Sequence, residues 1–359
     1  MKVAIVGSGA IARAYAVLLA RDGHRASVWS PSGHGARDLA DGNEAASGLV
    51  EGTHAVSIES TPESVSDADA VVVALPAPAY AATLPRIAPH LRTEQLVFVS
   101  GALSLAPLWL AELAASHERR PTIAASGTTV ATARTRPGGV AVNAVRTRVG
   151  IAALPTAASA AALATMRALF GDRFDGVENV LAVTLANINP VAHAALALCN
   201  LTRMEYGEAW PQYHYLTPAV ARLVAAMDAE RQAIASAFGL AVAPIEAHFE
   251  RSFDVAPGTL AQIAAELHRR RGGPPGPASL DTRFVLEDVP FGLACNEALA
   301  GVAGAAVPAT AASITLHSTL YGRDFRGENS LIAALGLRDA SPAALLARCE
   351  GRQTRGTPA

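Results

Sequence analysis

The chain has 359 residues, of which 51% are hydrophobic and 17% charged, with a formal net charge of −2. Such a composition can bury a sizeable core in two domains and excludes a disordered chain. Its near-neutral charge offers no basic field to gather phosphate backbones, so nucleic acid is excluded as a partner.

Along the first half, short apolar runs alternate with helical patterns. Strands are expected over residues 3–6, 26–29, 70–75, 96–99, 122–125 and 148–152, and helices over 11–21, 80–90 and 106–116. Near-continuous apolar runs of this length fit strands buried on both faces. Strand, helix, strand, repeated, predicts an α/β domain built on a doubly wound parallel sheet, spanning residues 1–175. Beyond it the strand signals stop. Asn189-Pro190 reads as a helix start, with Asn as N-cap and Pro at N1, and Thr217-Pro218 repeats the device. Gly239 then ends one long helix over 218–238. Further helices are expected over 257–271, 296–303 and 308–320, giving an all-α second domain over 176–350. By composition the Gly/Pro stretch 271–277 is a mobile loop, and 351–359 a disordered tail.

Cys199, Cys295 and Cys349 form no CxxC pair, so neither a disulfide framework nor a metal site is expected, and a reducing cytoplasm fits. Gly7 and Gly9 interrupt the first apolar run too early for a signal peptide. The low-charge stretch 291–316 contains Glu297 and Pro308 and reads as core helices rather than a membrane span.

Gly7-Ser8-Gly9-Ala10-Ile11-Ala12 matches G-x-G-x-x-G/A between a strand and a helix, the context that gives this motif weight. Gly7 allows the tight turn, Gly9 lets a pyrophosphate approach, and Ala12 keeps the helix close to the sheet. Ser8, Ala10 and Ile11 complete the cradle at a helix N-terminus. The motif predicts a dinucleotide site of the Rossmann type; a tight turn without ligand is the alternative. An acid that would bind the adenosine ribose is expected at the end of the second strand, and Ser30 stands there instead. Ser30, Ser32 and Arg37 could donate to a 2′-phosphate, and Asp38 lies too far along. NADP(H) is therefore favoured over NAD(H), with NAD held through serine and backbone contacts as the alternative. Leu75-Pro76 closes the third strand and should border the cofactor, unless it is a plain stiff turn.

Two stretches in the helical half look chemical. In Asn187-Ile188-Asn189-Pro190-Val191-Ala192-His193 the histidine falls in the first turn of a helix, where a nearby carboxylate would balance the helix field. Such a histidine could move protons; it could equally be packed in an alanine-rich core. In Arg283-Phe284-Val285-Leu286-Glu287-Asp288-Val289-Pro290, Arg283 could grip a carboxylate and Asp288 could orient His193. A surface arginine and an ordinary acidic helix start are the alternatives. Tyr206, Trp210, Tyr213, His214 and Tyr215 cluster as a pocket, a lid or a core junction.

Over nearly its whole length the chain resembles the octopine/nopaline (opine) dehydrogenase family. The resemblance rests on GSGAIA, NxNPxxH at 187–193, TP followed by DAER at 217–231, RFVLEDVP at 283–290 and GENSLIAALGL at 327–337. It implies a helical domain over a dinucleotide domain, a proton-handling pair at His193 and Asp288, and a carboxylate-binding arginine at Arg283. Asn187 is a further candidate substrate contact. Residues 124–129 lack the acid and following proline that members often carry, which leaves Thr128 as the candidate there, with Arg134 matching downstream. The implied activity is NAD(P)H-dependent condensation of an α-keto acid with an amino acid, hydride going to an imine carbon. One alternative is an amine-independent, ketopantoate-like reductase, which usually uses a lysine acid; no lysine lies in the helical half. Another is a non-catalytic dinucleotide-binding protein. A homodimer is compatible with the helical half.

Overall fold

The computed structural model describes residues 1–33, 39 and 41–352. Arg37, Asp38 and most of the expected tail, 353–359, lie outside the described residues. The chain divides into two compact units, Met1–Thr184 with the segment from Leu346, and Leu185–Leu345. The C-terminal segment joins the first unit because Arg348 donates to both oxygens of Glu112 (2.9 and 3.1 Å) and Thr156 Oγ1 donates to Glu350 O (3.2 Å).

The first unit contains β1 (Lys2–Val6), α1 (Ala10–Arg21), β2 (Arg25–Trp29), β3 (Asn43–Gly48), β4 (Gly52–Glu59), β5 (Ala70–Val73), α2 (Tyr80–Ile87), β6 (Leu96–Ser100), α3 (Ala106–Ser116), β7 (Thr122–Ser126), β8 (Ala131–Arg136), β9 (Gly139–Val145), β10 (Val149–Leu154), α4 (Ser159–Phe170) and β11 (Phe174–Gly176). Eleven strands form one sheet in the order β11-β10-β7-β6-β5-β1-β2-β4-β3-β9-β8. From β7 to β4 every pairing is parallel, which is the expected doubly wound centre. The margins are mixed: β10 runs antiparallel to β7, β3 to β4, and β8 to β9.

The sequence pattern finds the central strands and misses β3, β4, β8, β9 and β11. Every residue of β5 and β6 is buried, so these strands read as apolar runs. By contrast β4 fully buries only Val56, and β8 only Ala131. In β3 the one fully buried residue is Glu44, whose carboxylate receives Arg13 of α1 at two points, each 2.8 Å. A strand whose buried residue is a glutamate carries no hydrophobic signature.

Tyr15, also on α1, sits fully inside the sheet core. Its hydroxyl lies 2.6 Å from Ser100 Oγ and accepts from Val130 N (2.8 Å), so it joins the end of β6 to the start of β8. Burial pushes its phenol up to about 12, so it stays neutral. Phe170 packs edge-on against the Tyr15 ring, centroids 5.4 Å apart.

Helix α5 (Val180–Leu185) leads into the second unit. There follow α6 (Asn189–Cys199), α7 (Leu201–Glu205), α8 (Gln212–Tyr215), α9 (Pro218–Ala237), α10 (Ile245–Phe253), α11 (Leu260–Arg271), α12 (Arg283–Leu286), α13 (Ala294–Ala303), α14 (Pro308–Tyr321), α15 (Ser330–Ala334) and α16 (Pro342–Glu350). Thr217 caps α9 as expected, accepting from Val220 N. The cap of α6 shifts: Asn189 is already helical, and Asn187 Oδ1 accepts the Asn189 N–H (3.0 Å). Helix α11 starts at Leu260 rather than 257 because Thr259 and Gln262 form a reciprocal capping box.

The DAER stretch is the hub of this unit. Arg231, fully buried, donates to Asp228 Oδ1 (2.8 Å), Leu185 O and Ala243 O. Asp228 Oδ2 accepts from Ile245 N (3.0 Å), tying the start of α10 to α9. Glu230 accepts from Ala309 N (2.7 Å) and Thr310 N (2.8 Å), supplying α14 with a carboxylate at its positive end.

The Gly/Pro stretch after Arg271, expected to be mobile, is held. Gly276 N donates to Trp210 O (2.7 Å), Trp210 Nε1 to Pro277 O (3.0 Å) and Gln212 N to Pro274 O (3.1 Å). A Cβ on Gly276 would come within 2.3 Å of the Trp210 ring, so the indole lies flat on the glycine. Composition showed that this stretch cannot order itself; it did not show that its carbonyls have a partner.

Between α12 and α13 the chain makes a π-helical turn, Asp288–Leu293. Helix α6 packs closely on it: a Cβ at Gly292 would fall 2.3 Å from Pro190 Cγ and 2.4 Å from Pro190 Cβ. Proline cannot swing its ring aside. Gly292→Ala should therefore lower stability by about 1–3 kcal/mol, the range for overpacking a tight contact, read by denaturant unfolding. An unchanged midpoint would show that this contact can relax freely.

Candidate active site

In the first unit the predicted cofactor residues gather at the carboxyl ends of the neighbouring strands β5, β1 and β2, where an open α/β sheet takes its ligands. Gly7 has φ +124°, and a Cβ there would lie 2.4 Å from Ala74 O and 3.3 Å from Leu75 Cδ2. Its N–H donates to Trp29 O (2.8 Å), drawing the end of β2 to the turn. The fold itself thus demands glycine at residue 7. Gly9 differs: a Cβ on it would meet nothing within 4 Å. Among the described residues nothing requires glycine there, whereas a closely seated phosphate would. Gly9 is also the N-cap of α1 and makes no side-chain cap bond, so the first-turn N–H groups, those of Ala10 and Ile11 included, lack a capping side chain. The cradle fits a dinucleotide pyrophosphate, with Ser8 between the two glycines.

At the edge of this cradle Ser30 and Ser32 face each other, Oγ atoms 3.5 Å apart. Leu75 and Pro76 follow β5, and Pro76 starts a short 3-10 turn, 77–79. Two charged groups here escaped the sequence reading. The Arg86 guanidinium lies over the Trp29 ring, 4.9 Å from its centroid. Glu59, the last residue of β4, pairs in register with Trp29. Both reach the end of β2 only through the sheet and α2, so local sequence carried no sign of them. Thr128 also lies in this unit, its carbonyl accepting from Ser126 Oγ (2.7 Å).

The second unit brings His193 and Asp288 together and carries Arg283 on the short helix just before Asp288. His193 Nδ1 lies 2.8 Å from Asp288 Oδ2, with side chains 22% and 1% exposed. This bond fixes which ring nitrogen faces the carboxylate and turns Nε2 away from it. Asp288 Oδ1 is buried and has no hydrogen-bond partner among the described residues. Arg283 meets Glu287 through Nε (3.1 Å), one helical turn on, and its side chain remains 58% exposed. Asn187 is buried, and its Oδ1 is engaged at the head of α6.

Phe284 was missed as well. Its ring stacks on His193 with centroids 3.7 Å apart and planes within 4° of parallel. The signal was available: Phe284 and Asp288 are four residues apart on a helical stretch, so they share a face. His317, by contrast, is a core histidine. It is fully buried, donates from Nδ1 to Ser313 O (2.8 Å), and burial holds it below the ordinary imidazole value, hence uncharged at neutral pH. The aromatic cluster packs within its own unit: Trp210 meets Tyr215 edge-on, and Arg203 covers the Tyr215 ring at 4.1 Å. Tyr206 is exposed.

Residues 176–321 match the family model for the alpha-helical domain of NAD/NADP octopine/nopaline dehydrogenase, and residues 2–100 match that of coenzyme F420-dependent NADP oxidoreductase. An opine dehydrogenase from Arthrobacter sp. (strain 1C) is 30% identical over 354 residues, covering 97% of this chain and 98% of that protein. The fold resembles that of an octopine dehydrogenase solved with NADH and L-arginine, at TM-score 0.81 and 17% identity over all of both chains. It also resembles a yersinopine dehydrogenase solved with NADP+, at TM-score 0.72 and 18% identity over 95% of this chain and 99% of that one. Shared almost end to end with one opine dehydrogenase, and matched in its helical half to the family's own domain, this chain belongs to the octopine/nopaline dehydrogenase family.

Proposed function

We propose that the protein condenses an α-keto acid with the amino group of an amino acid and reduces the resulting imine, using NADPH in preference to NADH. The observation that carries this reading is the His193–Asp288 bond, with Arg283 on the adjoining helical turn, in a member of this family. The nicotinamide supplies the hydride that reaches the imine carbon. Arg283 takes a substrate carboxylate on its exposed guanidinium and so fixes the reacting carbon. Condensation expels water, and the departing hydroxyl needs a proton. His193, bonded to Asp288 at Nδ1, gives that proton from Nε2 and regains one from the attacking amine. Asp288 keeps the imidazole in one orientation throughout. Among the described residues Cys199, Cys295 and Cys349 form no disulfide, in keeping with an enzyme of the reducing cytoplasm.

The preference for NADPH rests on Ser30 and Ser32 in place of an acid, and on the Arg86 cation over Trp29. Glu59 at the neighbouring strand end opposes it. An amine-independent keto-acid reductase is the less favoured reading, since the one lysine of the chain is Lys2.

A matrix of keto acids against amino acids, followed by NADPH loss, tests the reaction. Oxidation is expected only where both are present; turnover with a keto acid alone sinks the condensation reading. His193→Ala should cut kcat by about 10²–10⁴ while the cofactor KM holds, and full turnover in that variant would remove His193 from the chemistry. The KM for NADPH should lie below that for NADH, and Arg86→Ala should raise the former selectively. A strong NADH preference in the parent enzyme would reverse the cofactor assignment.

A further inference from the structure

We infer that Phe284 is a positioning residue for His193: its ring sets the plane of the imidazole and therefore the direction in which Nε2 delivers its proton. The inference deepens the proposed reaction and rests on it for the meaning of that direction. The contact itself stands apart from any reaction, in the parallel stack at 3.7 Å.

The need for a second constraint follows from geometry. The Nδ1–Asp288 bond holds one point of the imidazole. The covalent Cβ–Cγ link holds a second, and coupled turns of χ1 and χ2 can still tilt the ring between these two points and sweep Nε2 through an arc. A flat contact over the whole face removes this rotation. A bond and a stack together fix position, plane and direction; neither does so alone. At 3.7 Å between centroids, with planes 4° from parallel, no water fits between the rings. One face of the imidazole is thereby closed. A π face also attracts positive charge, so the stack holds when the ring carries a proton.

Phe284 is itself held in place. Its N–H donates to Thr282 Oγ1 (3.3 Å), which caps α12. The Tyr321 hydroxyl donates to Leu280 O (3.3 Å), pinning the segment that leads into this turn. Val285 next to it is fully buried. The same helical face then presents Asp288, so one short stretch supplies both constraints on His193.

The test compares Phe284→Leu with Phe284→Tyr in the full-length enzyme. Leu keeps the apolar bulk and loses the flat face; Tyr keeps the face. Kinetically, Phe284→Leu should lower kcat about 10–100-fold, the scale of a small misplacement at a reacting group, with KM for NADPH and keto acid within about twofold. Phe284→Tyr should restore most of kcat. A structural role alone would not produce that split or that rescue. In parallel, NMR of histidine-labelled protein reads the stack without turnover. The ring current of Phe284 should hold the His193 carbon-bound protons upfield, and Phe284→Leu should release them downfield. If those signals do not move, or if Leu and Tyr variants are equally impaired, the positioning role is overturned. Should the parent enzyme lack the proposed condensation activity, the reaction assignment falls, and the NMR comparison still decides the stack. If Phe284→Leu does not fold, Phe284→Met takes its place, with the same expectation and the same reversal.

Discussion

A guanidinium cannot be buried alone. Arg231 is fully inside the helical unit, and the structure around it is what that charge requires. Asp228 neutralises it, and two backbone carbonyls, Leu185 O and Ala243 O, take further N–H groups. The same carboxylate accepts the Ile245 N–H, so the end of α5, the middle of α9 and the start of α10 meet on one ion pair. Glu230 between them caps α14, which packs against α6 and the π turn. The elements that carry His193 and Asp288 thus rest on a polar frame. Removing one partner of such a pair would strand the other, at about 3–5 kcal/mol.

The π turn is the second half of that frame. Proline at 290 brings no N–H to the turn, and Asn329 Nδ2 donates to its carbonyl at 2.9 Å. Gly292 admits the Pro190 ring, which seats the head of α6 against the turn. These contacts bring His193 within one hydrogen bond of Asp288, although the two lie 95 residues apart in the chain. Extra-residue turns of this kind often occur at functional sites, where a carbonyl or side chain must point off the regular helix. In this protein the side chain is a buried carboxylate with His193 on one oxygen and no donor among the described residues on the other.

The two glycines of the first turn show how a shared motif divides its work. Gly7 answers to the sheet: its φ and the closeness of Ala74 O leave no room for a Cβ. Gly9 answers to nothing among the described residues, and its openness is what a pyrophosphate needs. Around them the electrostatics are set by neighbours distant in sequence. Arg86 and Glu59 carry opposite signs to the end of β2, and Ser30 follows Trp29 there.

By itself the sequence determined the central sheet and the long helices, and it named candidate chemical residues. Strands buried on both faces must be apolar throughout, so β1, β5 and β6 were legible. Caps are local, so α9 announced itself at Thr217 and Gly239. His193, Arg283 and Asp288 stood out as reactive types in short runs that resemble a known family. Only the tertiary structure decided the rest. The marginal strands β3, β4 and β8 depend on pairing, since a strand with one open face has no apolar run to declare it. The Gly/Pro loop was ordered by Trp210, and Phe284 gained its place by meeting a ring from another helix. Periodicity and capping act over a few residues and are written in the chain; stacking, ion pairing and close backbone contact act through space and appear only once the chain has folded.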